Sequence, residues 1–82
     1  MNEVFLIGRI VSDVKFEFMI NSKHIAIANF KIKTLDGQAV NIVVYDGLAD
    51  FSYSKLKNGD MIFAYGRLKL NYILLKSVKY VD

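Results

Sequence analysis

The sequence predicts an all-β fold: a small closed barrel of five strands and one short helix, in the order β-β-β-α-β-β. Three observations predict it. The dominant hydrophobic period is two rather than 3.6, an Asp-Gly dipeptide separates two β-rich runs, and a single window switches to helical spacing.

The first strand is expected to be long and bent. Val4 to Val11 is almost wholly apolar apart from Gly8 and Arg9, and Lys15-Phe16-Glu17-Phe18 then alternates. Gly8 marks a close approach of backbones or a kink, and Ser12-Asp13 a bend or bulge. Asn21-Ser22-Lys23 reads as a polar turn. His24 to Leu35 forms the second strand, with Ala28, Phe30 and Ile32 opposite Asn29, Lys31 and Lys33. Asp36-Gly37 suits the positive φ of a hairpin turn, and Ala39 to Tyr45 is the third strand. From Gly47 to Lys57 the residues Leu48, Ala49, Phe51, Tyr53 and Leu56 fit one helix face, with Asp46 placed to cap its start and Asn58-Gly59 to end it. Asp60 to Leu70 and Tyr72 to Val81 complete the barrel around a tight turn at Asn71. Phe16, Phe18 and Phe51 are expected in the core.

Composition narrows the function. The 82 residues contain neither cysteine nor proline and one histidine, so disulfides, thiol chemistry and ordinary zinc sites are excluded. Eleven Lys and Arg against eight Asp and Glu give a net charge of +3, which favours a polyanionic partner without requiring one. The apolar fraction, 54%, exceeds what so small a domain can bury, so some apolar or aromatic surface is expected to be exposed. No apolar run approaches the roughly 20 residues of a membrane span, and the acidic start lacks the basic region of a signal peptide. A cytoplasmic location follows as the default, with residues 1–82 as one domain. The carboxylates are scattered over turns and helix ends, and neither Ser54-Lys55 nor Ser22-Lys23-His24 has the glycines or third member of a nucleophile site. The glycines compose no phosphate loop. An enzyme is not expected, nor any metal or cofactor.

Five short twisted strands with one helix plugging an end describe the oligonucleotide/oligosaccharide-binding barrel, the OB-fold; an SH3-like barrel is the rival, usually without a full helix here. At these residues the chain also resembles the bacterial single-stranded-DNA-binding protein (SSB) family. The opening Met1-Asn2-Glu3-Val4-Phe5-Leu6-Ile7-Gly8-Arg9-Ile10 is similar to that family's start, and Asp13 stands at its Asp-Pro, with Val14 replacing the proline. Ala26-Ile27-Ala28-Asn29-Phe30 and Asn41-Ile42-Val43-Val44-Tyr45 resemble its second and third strands. Lys57-Asn58-Gly59-Asp60 and Gly66-Arg67-Leu68 resemble its helix exit and fourth strand. The departures are a tryptophan position occupied by Ala39 and hairpins cut to bare turns, and no acidic tail is expected after Asp82. The resemblance therefore implies a minimal relative, such as a primosomal replication or mobile-element protein.

A single-strand binder needs cations for the phosphates and flat side chains for the bases. Strand parity turns Asn29, Lys31 and Lys33 outward beside Asn41, Val43 and Tyr45, on the face that OB-folds use. Tyr45 is the main stacking candidate, expected close to Lys31 and Lys33, and Tyr72 is a second ring on the rim near a family stacking position. Lys31 and Lys33 are the phosphate candidates, and Arg9 either contacts phosphate or braces an interface. Each has a plainer role open to it: a tyrosine half-buried over the sheet end, or lysines that merely solubilise a surface. His24 reads as a turn or edge residue, with base stacking as the alternative. Arg67, Lys69, Lys55, Lys57, Lys76 and Lys79 read as solvated surface. Phe5, Ile7, Phe63 and Tyr65 form an apolar strip that reads as a subunit interface of a homodimer or homotetramer. The expected function is sequence-tolerant binding of single-stranded DNA in replication, recombination or DNA transfer. The alternatives are a protein-interaction module of a replication complex and an RNA-binding OB domain.

Overall fold

A computed structural model describes residues 2–20 and 23–81. The expected turn residues Asn21 and Ser22 lie outside the described residues. Strands β1 (Glu3–Ile10), β2 (Lys15–Phe18), β3 (Ala26–Thr34) and β4 (Ala39–Tyr45) precede helix α1 (Asp46–Lys55), and β5 (Met61–Leu68) and β6 (Ile73–Tyr80) follow it. The strands run in the order β1-β5-β6-β4-β3-β2, and a further β1–β3 pairing closes the sheet into a barrel.

β1 and β2 are the two limbs of the expected first strand. Glu3 to Arg9 pair with β5, Gly8 to Ile10 cross onto β3, and β2 continues along β3 with Lys15 opposite Asn29. The bend between them is held by Ser12, whose hydroxyl accepts the Lys31 amide at 2.9 Å. Gly8 lies where the strand switches neighbours. A side chain there would begin 2.9 Å from the Lys33 carbonyl oxygen, so the expected close approach is present.

The interior follows the predicted parity. Ala28, Phe30 and Ile32 on β3, Ile42 and Val44 on β4, and Ile62 and Ala64 on β5 are buried, with Ile10, Ile73 and Leu75. Leu68 continues the inward alternation of Ile62, Ala64 and Gly66 but lies exposed, because β5 ends there. The Asp36-Gly37 hairpin forms as expected: Gly37 has φ +91° and its amide donates to the Thr34 carbonyl, while the Thr34 hydroxyl donates to the Asp36 carboxylate. All other element boundaries fall within a few residues of expectation.

Three expectations need correction. Of the expected helix face, Leu48, Ala49 and Leu56 pack on the core, but the buried helix residues are Ala49 and Ser52, and Phe51 and Tyr53 are exposed, the Tyr53 ring centroid resting 5.1 Å from that of Phe16. Positions 49, 52 and 56 follow the helical repeat, and 51 and 53 fall about 100° to either side of 52. Phe16 does pack against the core, but Phe18 is 74% exposed, because it ends β2 at the rim; its ring meets Phe16 edge-on with centroids 5.2 Å apart. Asp46 does not cap α1: Tyr45 is the N-cap and makes no side-chain cap bond. Asp46 takes a left-handed φ of +57° and sends its carboxylate back to the start of β3. Among the described residues no helix is long and apolar enough to cross a membrane.

Candidate nucleic-acid interface

Antiparallel pairing fixes which outward side chains share a row across β2, β3 and β4. Lys15, Asn29 and Val43 form one row, Lys31 and Asn41 the next, and Lys33 and Ala39 a third. Arg9 of β1 pairs with Lys33 and extends that third row. At the other end lie Glu17, Ile27 and Tyr45. Asn29, Lys31, Lys33 and Asn41 are all exposed, as parity predicted.

Above the middle rows lies an open groove of about 450 Å³. Ser12 and Asp13 from the β1–β2 bend, with Lys15 at the start of β2, form one wall, and Asn71 and Tyr72 from the β5–β6 turn form the other. Asn29, Lys31, Asn41 and Val43 floor it. Tyr72 is thus across the groove from Lys15 and Lys31, at the rim where it was expected. The Asn41 side-chain amide points to the Asn71 carbonyl at 3.5 Å, a long contact between floor and wall. Among the described residues no ion pair holds Lys15, Lys31 or Lys33, so their charge is open to an incoming anion. Arg9 is partly committed: one guanidinium nitrogen donates to the Gly59 carbonyl at 2.7 Å, tying β1 to the turn before β5.

Tyr45 is not where it was expected. It pairs with Ile27, four residues from Lys31, which places it about 13 Å along β3 from that lysine and further from Lys33. Its half-buried ring lies under His24, with centroids 4.0 Å apart and planes 6° from parallel. The face is therefore a cationic stretch of Arg9, Lys33, Lys31 and Lys15 with Tyr72 at its side and a two-ring stack at one end. Sequence reasoning missed Lys15, although the alternation that turned Phe16 inward also turned Lys15 outward. It also missed the His24–Tyr45 stack, for which the chain carries no local signal.

The apolar strip forms on a separate wall, over β1 and β5. Phe5 faces Tyr65 and Ile7 faces Phe63 in register, and the Phe5 and Phe63 rings are 5.7 Å apart. Phe5 is 61% exposed. The strip is edged by polar contacts: the Tyr65 hydroxyl donates to Glu3 Oε1 at 2.6 Å, and Lys76, expected free in solvent, reaches Glu3 Oε2 at 3.6 Å. The carboxylate beside it raises the Tyr65 phenol above its ordinary pKa.

No family model matches the chain. Two curated relatives do, the single-stranded DNA-binding proteins of Neisseria meningitidis serogroup A and serogroup B. Each is 32% identical over 81 residues, covering 84% of this chain and 45% of the relative. The chain thus spans about half the length of the curated relatives it matches. Among solved structures, the SSB domain of a Synechococcus sp. protein superposes with a TM-score of 0.87 at 15% identity, covering 98% of this chain and 96% of that one. The single-stranded DNA binding protein of Thermus aquaticus gives 0.88 at 16% identity, covering 100% of this chain and 41% of that one. A small single-stranded DNA-binding protein from Streptomyces coelicolor gives 0.81 at 13%, covering 96% and 91%. The chain is SSB-like in sequence, and its fold is the OB-fold of these domains.

Proposed function

We propose that this SSB-like OB-fold binds single-stranded DNA, without strong sequence preference, along the outer face of β2, β3 and β4. One observation carries the reading: Lys15 and Lys31 line a groove walled by Tyr72, with Lys33 in the next row of the same face and no ion pair on any of the three among the described residues, on a fold shared with single-stranded DNA-binding domains. The cations neutralise phosphates and release counterions, and Tyr72 offers a ring to a base. Arg9 contributes its remaining guanidinium donors at the Lys33 end, while Asn29 and Asn41 offer sequence-tolerant hydrogen bonds. The site has no catalytic role. Its place is in replication, recombination or DNA transfer, alongside other replication proteins.

Fluorescence anisotropy with a labelled oligonucleotide at two salt concentrations tests this. Binding in the micromolar range at low salt, weakening steeply as salt rises, is the expected result. Absence of binding at low salt overturns it. A matched RNA competitor shows whether the sugar matters, because a stacking platform accepts either.

The strip of Phe5, Ile7, Phe63 and Tyr65 supports self-association into a homodimer or homotetramer, since contiguous exposed apolar surface commonly marks association. Phe5→Glu is then expected to lower the mass measured by light scattering to that of one chain. An unchanged mass removes the strip from the interface.

A further inference from the structure

His24 stands outside the groove, yet its ring is fixed on two sides. The imidazole lies flat on Tyr45, and Nδ1 is 2.7 Å from Asp46 Oδ2. The other oxygen of that carboxylate accepts the Ile25 amide at 2.6 Å and the Ala26 amide at 3.2 Å. Asp46 therefore ties the backbone after His24 and the imidazole edge to the same junction between β4 and α1. A carboxylate can only accept here, so the proton sits on Nδ1 and the ring orientation is set.

The stack changes which ring a base can reach. One face of Tyr45 is covered, whereas 42% of the His24 side chain remains exposed. We propose that His24 is the base-stacking surface at this end of the face, with Tyr45 as the ring beneath it and Asp46 as the residue that positions it. The inference rests on the single-strand reading above and extends its track beyond the groove, from Lys31 past Asn29 and Ile27. A ring already held parallel to its neighbour loses little conformational freedom when a base is laid on it. Imidazole is among the side chains on which unstacked bases lie.

The chain has one histidine, so its imidazole proton resonances are assigned without ambiguity. An oligo(dA) titration followed by NMR at fixed neutral pH tests the proposal, adenine being chosen for its strong ring current. The expected result is an upfield movement of the His24 Hε1 and Hδ2 resonances, together with shifts of the Lys31 and Lys33 amides. If those amides move while the imidazole protons stay still or go downfield, His24 is not a stacking surface and the single-strand reading survives. If neither the amides nor the imidazole responds, both readings fall.

Discussion

Asp46 shows how one carboxylate can serve two elements. Its bond with His24, followed by that from the Ile25 amide, holds its carboxyl below the usual carboxylate range. Glu3 is lowered chiefly by the Tyr65 hydroxyl, and Asp36 by the Thr34 hydroxyl and then the Gln38 amide. A carboxyl depressed in the folded state takes up its proton more readily in the unfolded chain, so stability is present at neutral pH and is lost as pH falls below about 4. Urea unfolding across that range is expected to show a falling midpoint, with a shallower fall for Asp46→Asn; an identical pH profile for the variant contradicts the assignment. For binding, Tyr72→Ala is expected to weaken oligonucleotide affinity by about 5-fold to 150-fold, the range for losing one stacked base. Titration by anisotropy checks it, and an unchanged affinity removes Tyr72 from the track. At this scale the outward set Asn29, Lys31, Lys33 and Asn41 was legible, because parity needs only the strand's own residues. The His24–Tyr45–Asp46 group was not, because it depends on where a turn folds back 20 residues or more before the helix.

At the scale of elements, the contacts between them decide two further outcomes. Ser52 is fully buried on α1, and among the described residues its hydroxyl has no hydrogen-bond partner. Replacing it with alanine removes an unsatisfied polar group and improves helix propensity, so Ser52→Ala should raise stability by about 1 kcal/mol. A lower urea midpoint for the variant would show that the hydroxyl is satisfied. Gly66 lies at the irregularity in the β5–β6 register, and a Cβ there would meet the Leu74 carbonyl oxygen at 2.2 Å. Because that neighbour is backbone, the two strands must part, and Gly66→Ala should cost about 2–3 kcal/mol, read by the same unfolding. The Asp36-Gly37 hairpin and the succession of strands and helix along the chain were legible from local turn chemistry and alternation. The buried face of α1 was not wholly legible, because bulk suggested Phe51 and Tyr53 whereas Ala49 and Ser52 are the buried helix residues against β3 and β4, with Leu48 and Leu56 packed beside them. Phe18 misled in the same way: period two gives its side of the strand, but not that the strand ends at the rim.

At the scale of the molecule, barrel closure puts charge and apolar surface on different walls. The net charge of +3 is modest, yet Arg9, Lys33, Lys31 and Lys15 lie along one face, while Phe5, Ile7, Phe63 and Tyr65 lie along another. Composition alone could not reveal that separation; it emerges once β1 leaves β5 for β3 at Gly8. The central claim is that the lysines of this face meet phosphates. It is tested most directly by the slope of log affinity against log salt for the unaltered chain and for Lys31→Gln/Lys33→Gln. Each phosphate contact on a single strand contributes about 0.7 to that slope, so the double variant should bind more weakly with a slope shallower by about 1.4. A slope equal to that of the unaltered chain would contradict the account.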